Sequence, residues 1–352
     1  MEEISLILPC GGKSSRFTGK PKWLKTCPNG NLMIIECLLG LNLDNVSCLY
    51  VTFVKDHIDK YLKNIDLNKL FLKINKKIIF TILDNFTLSQ SETVFETISI
   101  NNIKGNIFIK DCDNFYEFKI EKGNYCCFLE VNKDNEVDEL YNKGFLEINQ
   151  LNQIVNICDK KIISNKISIG GYSFNDSEIF CKYYSDCIKM DLDNNELFLT
   201  HVIYKCILEN IIFDTKKVVK YIDWGTEKQW NKYKNEFKTL FVDIDGTLFY
   251  NTGEYFNPGW GNNKPIIKNI NKLREMYQNN KTQIILTTAR NKNYEDVTRK
   301  QLEENNVPYH DIIFNLLHCK RYLINDYADS NKYPSAVAIN LKRDNDNLVD
   351  YF

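Results

Sequence analysis

Two series of short apolar runs, each interleaved with helix-like segments, limit this chain to one kind of architecture. In the first series Ile4 to Leu8, Cys48 to Val54, Ile78 to Leu83 and Asn106 to Ile109 have the length and composition of buried strands. Between them Ile34 to Leu41, Asp56 to Leu62 and Ser91 to Ile100 read as helices. The pattern restarts at Thr239. Strand candidates there are Leu240 to Val242, Gln283 to Thr287, Ile312 to Phe314 and Tyr322 to Ile324, with amphipathic helices at Pro265 to Tyr277 and Tyr294 to Glu304. Alternating strands and helices predict an α/β fold with mostly parallel sheets covered by helices. Ligands in such folds gather beyond the carboxyl ends of the strands. A chain of 352 residues exceeds the usual size of one core, so the break between the series is read as a domain boundary, dividing 1–235 from 236–352.

Charge and cysteine content narrow the function classes. Lys and Arg total 45 against 46 Asp and Glu, a formal net charge of -1, which gives no support for nucleic acid as the main partner. The start of the chain has no basic segment followed by a long apolar one, and no run has the length to span a bilayer, so membrane insertion is not expected and a cytoplasmic protein is. The 12 cysteines are irregularly spaced, without a CxxC pair or a His partner at zinc spacing, and read as small buried side chains in a reducing compartment.

The first strand end carries Leu8-Pro9-Cys10-Gly11-Gly12-Lys13-Ser14-Ser15-Arg16-Phe17, followed by Gly19-Lys20-Pro21-Lys22-Trp23-Leu24. Paired glycines let backbone N–H groups approach phosphate oxygens, the serines add donors, and Lys13, Arg16 and Lys22 offset phosphate charge. A Walker A loop is excluded, because Gly12-Lys13-Ser14 would require glycine where Ile7 stands.

These residues resemble the signature of nucleotidyltransferases that join an NTP to a phosphorylated small molecule, among them the sugar-1-phosphate and choline-phosphate enzymes. The resemblance implies a Rossmann-like domain of the glycosyltransferase-A type, with Gly11 to Arg16 around the nucleotide and Lys22 on the reacting phosphate. Ser89-Gln90-Ser91-Glu92-Thr93 resembles the segment that reads the base, which implicates Gln90 and Ser91. Lys110-Asp111-Cys112-Asp113-Asn114 ends a strand in two carboxylates. By resemblance Asp113 holds Mg2+, Asp111 lies at the nucleotide, and Asp223 in Tyr221-Ile222-Asp223-Trp224-Gly225-Thr226 is the second metal ligand. Lys160 or Lys161, with Gly171 and Tyr172, corresponds to the acceptor side. The implied reaction is attack of a substrate phosphate oxygen on the α-phosphorus with loss of pyrophosphate, driven by positioning and charge neutralisation. CTP is the favoured nucleotide and GTP the alternative.

In the second series Asp243-Ile244-Asp245-Gly246-Thr247-Leu248 resembles the first motif of the haloacid dehalogenase (HAD) superfamily of phosphatases. That resemblance implies a second Rossmann-like domain with a minimal cap, Asp243 as nucleophile and Asp245 as general acid and base. It further implies Thr288, or failing that Thr287, as the phosphate-binding hydroxyl and Lys320 as the neighbouring cation. Asp326 would complete a second Mg2+ site with Asp243 and Asp245, assisted by Asp329. Residues Phe249 to Asn263 are the candidate for a short lid or interdomain contact. The tail through Tyr333-Pro334-Ser335-Ala336 resembles phosphatases of capsule and surface-polysaccharide clusters, so a bifunctional enzyme of such a pathway is the combined expectation. An HAD module without catalysis is the competing one. No motif fixes oligomeric state.

Overall fold

The computed structural model describes residues 4–133, 137–189, 196–251, 254, 256–326 and 336–352. Asp329 and the stretch from Tyr333 to Ser335 therefore lie outside the described residues. The chain divides into two compact units, Met1–Lys234 and Asn235–Phe352.

The larger unit is built on a nine-stranded mixed sheet. Its centre is the strand Ile4–Pro9, all six residues of which are buried. An apolar run broken only by Ser5 suits an inner parallel strand, because both faces are covered. Ile4–Pro9 lies parallel to Val46–Val54 on one side and to Ile107–Lys110 on the other. Lys77–Leu83 extends the parallel part beyond Val46–Val54. Beyond Ile107–Lys110 the sheet turns antiparallel through Lys166–Phe174, which pairs with both Tyr125–Glu130 and Gly144–Ile148. Ile154–Asp159 and Asp214–Lys217 complete it. The helices Gln90–Asn101, Ser177–Ile188 and Leu199–Leu208 contribute Val94, Phe180 and Val202 to one core with Ile7, Ile109 and Phe174 from the strands. Ser89 caps the first of these helices, its hydroxyl accepting from the Glu92 N–H at 3.1 Å.

The smaller unit has a three-stranded parallel sheet in the order Lys238–Asp243, Thr282–Thr287, Asp311–Ile313. Ile270 and Leu273 of the helix Ile267–Gln278 and Leu302 of Glu295–Glu304 pack on Ile284 and Leu286. The expected fourth strand, Tyr322 to Ile324, does not form. Those residues are exposed and enter no ladder, with Ile324 at 92%. A three-residue apolar run between Arg321 and Asn325 supplies neither the length nor the pairing partner that a strand requires.

Candidate functional site

The larger unit gathers its polar chemistry where Ile107–Lys110 ends. A short antiparallel pair, Asn114–Tyr116 with Tyr221–Asp223, sets Asp223 opposite Asn114, and the Trp224 N–H donates to the Asp113 carbonyl at 2.9 Å. Two carboxylates 110 positions apart in sequence thus meet. They converge on Gly225: a Cβ built there would lie 3.2 Å from Asp223 Oδ1 and 3.5 Å from Asp113 Oδ2. The Gly225 N–H itself donates to Asp223 Oδ1 at 3.1 Å.

Each carboxylate carries its own lysine. Lys22 Nζ donates to Asp113 Oδ2 at 2.6 Å. Burial alone would raise the Asp113 carboxyl, but Lys22, with Arg16 and Lys143 behind it, outweighs burial and holds it well below the usual range. Lys143 pairs with Asp223 Oδ2 and also reaches the Tyr221 hydroxyl at 3.2 Å. The Gln229 amide donates to the same Asp223 oxygen at 2.7 Å. Sequence reasoning identified Lys22 but missed Lys143 and Gln229. Gln229 does leave a trace, because Thr226-Glu227-Lys228-Gln229 has the T-x-x-Q form of a capping box and its bonds are made, Thr226 N–H to Gln229 Oε1 at 2.9 Å and Gln229 N–H to Thr226 Oγ1 at 3.3 Å.

The glycine-rich loop borders this cluster. Nothing lies within 4 Å of a Cβ built on Gly12, whereas one on Gly11 would come 2.8 Å from Thr93 Oγ1, so Gly11 serves packing and Gly12 faces open space. Lys13, Ser15 and Arg16 are exposed, and Ser14 turns the chain with φ 54°. Gln90 donates to Asp111 Oδ1 at 2.5 Å. Burial and the nearby Asp113 charge raise the Asp111 carboxyl.

No protein-family model matches the sequence, and no curated protein matches it. Among solved structures, the nucleoside-diphosphate-sugar pyrophosphorylase from Vibrio cholerae RC9 superposes with a TM-score of 0.55 at 16% identity, covering 65% of this chain and 99% of that one. The larger unit shares this pyrophosphorylase's fold. An inositol-1-phosphate CTP transferase from T. maritima aligns with a TM-score of 0.49 at 14% identity, covering 66% of this chain and 93% of that one.

Several expected site residues sit elsewhere than the sequence suggested. Ser91 is fully buried in its helix, with no surface to offer a ligand. Gly171 is a packing residue, since a Cβ there would overlap the Tyr116 hydroxyl. Tyr172 is buried too, its hydroxyl accepting from Ser168 Oγ at 2.9 Å. Lys160 and Lys161 are exposed, and Lys160 lies over the Phe198 ring at 4.5 Å and 3.6 Å from Glu196. Lys143, not either of these, is the lysine at the carboxylates.

Lys110 supports the site from behind. Fully buried, it donates to the Asp111 carbonyl at 2.7 Å and to the Asn114 carbonyl and side-chain oxygen at 3.0 and 2.5 Å, and lies 4.5 Å from the Tyr116 ring centre. Burial lowers its pKa, and these acceptors keep the cation tolerable. Lys110→Met would leave them unpaired, so an unfolding loss of about 2 kcal/mol is expected in urea titrations. A loss below about 0.5 kcal/mol would contradict the role.

Asp159, at the end of Ile154–Asp159, is a half-buried ionisable group. Among the described residues its Oδ2 has no hydrogen-bond partner, and burial pushes the carboxyl from 3.8 up to about 7, with Lys160 opposing and Glu196 and Asp111 adding to the rise. A raised folded-state pKa means that the folded chain holds the extra proton, so the stabilisation is complete below about pH 4 and is lost as pH rises through about 7. Asp159→Asn is therefore expected to stabilise the chain by about 2 kcal/mol at pH 8, a figure reduced for partial exposure, and to change little at pH 4. Equal effects at the two pH values in urea unfolding would refute the assignment.

In the smaller unit Asp243 ends its strand in register with Thr287. Arg321, not Lys320, meets it, with Nη2 3.0 Å from Asp243 Oδ1, and Arg321 also donates to Thr287 Oγ1 at 3.4 Å. Burial raises the Asp243 carboxyl and Arg321 pulls it the other way. Thr288 is fully buried, its hydroxyl accepting from the Arg290 N–H at 3.0 Å, so Thr287 is the hydroxyl beside Asp243. Lys320 is exposed. Both Asp245 oxygens are occupied, with Arg290 Nε donating to Oδ2 at 2.9 Å and Nη2 to Oδ1 at 2.7 Å. Asp326 is exposed on the segment that forms no strand. Among the described residues no group of three or more His, Cys, Asp or Glu side chains gathers that could hold a metal, at either carboxylate cluster. Phe249 and Asn263 are buried, and Trp260 packs edge-on against Tyr294 at 4.9 Å, which ties both ends of the expected lid into its own unit. Among the described residues no helix is long and apolar enough to cross a membrane.

Proposed function

We propose that the 1–234 unit transfers a nucleotidyl group from an NTP, CTP by preference, to a phosphorylated small molecule and releases pyrophosphate. The meeting of Asp113 and Asp223 over Gly225, each with its own lysine, carries this reading. Two carboxylate oxygens around a side-chain-free position suit one Mg2+ whose remaining ligands are phosphate oxygens and water. Bound there, the metal would neutralise triphosphate charge. Lys22 is placed to take up phosphate charge once it leaves Asp113, and Lys143 to do so beside Asp223. The Gly11 to Arg16 loop offers N–H groups, hydroxyls and two cations to the leaving pyrophosphate. Pyrophosphate release, measured with each NTP against phosphorylated sugars, polyols and amino-alcohols, tests the reading. Release with no combination would sink it, and preference for GTP with a sugar 1-phosphate would install the alternative.

For the 235–352 unit we propose phosphomonoester hydrolysis in the same surface-glycan or polyol pathway, with Asp243 as nucleophile and Arg321 as the cation beside it. The strand-end register of Asp243 with Thr287, joined by Arg321, supports it. The occupied Asp245 favours the competing reading of a binding module. Hydrolysis that falls in Asp243→Asn while pyrophosphate release holds separates the two.

A further inference from the structure

Cys10 and Cys112 flank the site and face each other. The parallel register of Ile4–Pro9 on Ile107–Lys110 runs Ser5 to Ile107, Leu6 to Phe108 and Ile7 to Ile109, and the same offset carried past the strand ends brings Cys10 opposite Cys112. Burial and the neighbouring Cys112 thiol raise the Cys10 thiol, Cys10 lowers that of Cys112, and each residue is only 3% exposed. Neighbouring strands lie about 4.8 Å apart, inside the Cα separation of about 4.4–6.8 Å that a disulfide spans. Cys10 leads directly into Gly11 and Gly12, and Cys112 stands between Asp111 and Asp113. A bond between them would join the phosphate-facing loop to the carboxylate turn.

We propose that Cys10 and Cys112 form a reversible disulfide that closes the transferase site under oxidation by a peroxide. One sulfur attacks a peroxide oxygen; the O–O bond breaks, water leaves, and a sulfenic acid remains. The second thiol attacks that sulfur; the S–S bond forms, the S–O bond breaks, and a second water leaves. Each sulfur gives up one electron, and hydrogen peroxide takes both. A small dithiol reverses the change by exchange. An S–S bond of about 2.05 Å replaces a looser thiol contact, drawing the Asp111–Asp113 turn toward the glycine loop. That movement takes Asp113 off Lys22 and narrows the open space over Gly12.

The inhibitory half of this inference rests on the transferase reading; the disulfide does not. The full chain, treated with hydrogen peroxide, is alkylated and peptide-mapped, and pyrophosphate release is assayed before treatment, after it, and after dithiothreitol. A linked Cys10–Cys112 peptide is expected, with transfer falling about 10–100-fold, the scale of a misplacement of about 1 Å, and recovering on reduction. Cys10→Ala should lose the linked peptide and keep its transfer rate through the same treatment. A map showing Cys10 or Cys112 joined to any other cysteine, no linkage at all, or a Cys10–Cys112 bond that leaves transfer unchanged would overturn the proposal. Absence of pyrophosphate release before treatment would count against the transferase reading, while the peptide map would still decide whether the disulfide forms.

Discussion

Asp223→Asn is expected to lower kcat/KM for pyrophosphate release about 1,000-fold, equivalent to about 4 kcal/mol of transition-state stabilisation. Asparagine keeps the shape and removes the charge, so the strand pair that places residue 223 should survive, and thermal unfolding should move little. The loss would arise because an amide cannot help Asp113 offset a triphosphate-bound cation, and because Lys143 would lose its anionic partner. Lys143→Met distinguishes the two causes. If the carboxylate matters only as the anchor of Lys143, both variants fall equally, and raising Mg2+ rescues neither. If it binds metal, Asp223→Asn alone needs a higher Mg2+ concentration for its half-maximal rate, and raising Mg2+ recovers part of the loss. A fall of less than about tenfold in Asp223→Asn would remove it from the reacting centre.

The legible part of this site was the part written in strand ends. Asp113 follows one short strand and Asp223 ends another, and the pairing of Asn114–Tyr116 with Tyr221–Asp223 brings the two together. Lys143 was illegible because nothing local marks it. It precedes Gly144 at the start of a strand, and only the antiparallel half of the sheet carries it to Asp223. Lys160 and Lys161 sit at a matching strand end but turn outward, with Lys160 at φ 56° and over Phe198. In the smaller unit, neighbouring residues of the same type were interchanged. Thr287 and Thr288 are adjacent, yet strand register puts Thr287 opposite Asp243 and buries Thr288. Lys320 and Arg321 are adjacent cations, and only the fold of a segment without regular structure decides which one reaches the carboxylate. Composition cannot resolve a choice of that kind, because successive side chains point in different directions. Tyr322 to Ile324 failed for another reason: apolar residues make a strand only where a neighbouring strand can pair with them.

Arg290→Met is expected to destabilise the smaller unit by about 3 kcal/mol, the lower end of what removing one partner of a buried ion pair costs, since the Asp245 side chain is 20% exposed. Arg290 itself is fully buried with four of its five N–H groups engaged: beyond its two bonds to Asp245, Nη1 donates to Thr298 Oγ1 at 3.1 Å and to Gln301 Oε1 at 3.0 Å. Gln301 in turn donates to the Asn263 carbonyl at 3.1 Å, so the guanidinium ties the turn after the first strand to the helix Glu295–Glu304 and to the loop before Pro265. Methionine fills much of the volume but leaves four acceptor atoms, two of them on Asp245, without this donor. Lysine restores charge without the planar fork, so Arg290→Lys should recover less than half of the loss. Hydrogen exchange of the Thr282–Thr287 amides reports the opening of this sheet, and protection unchanged in Arg290→Met would refute the arrangement. The same variant addresses chemistry: while both Asp245 oxygens accept from Arg290, neither is free to pass a proton to a leaving group. Release of Asp245 should therefore raise phosphomonoester hydrolysis if the pair restrains an acid, and leave it absent if Asp245 is purely a structural anchor.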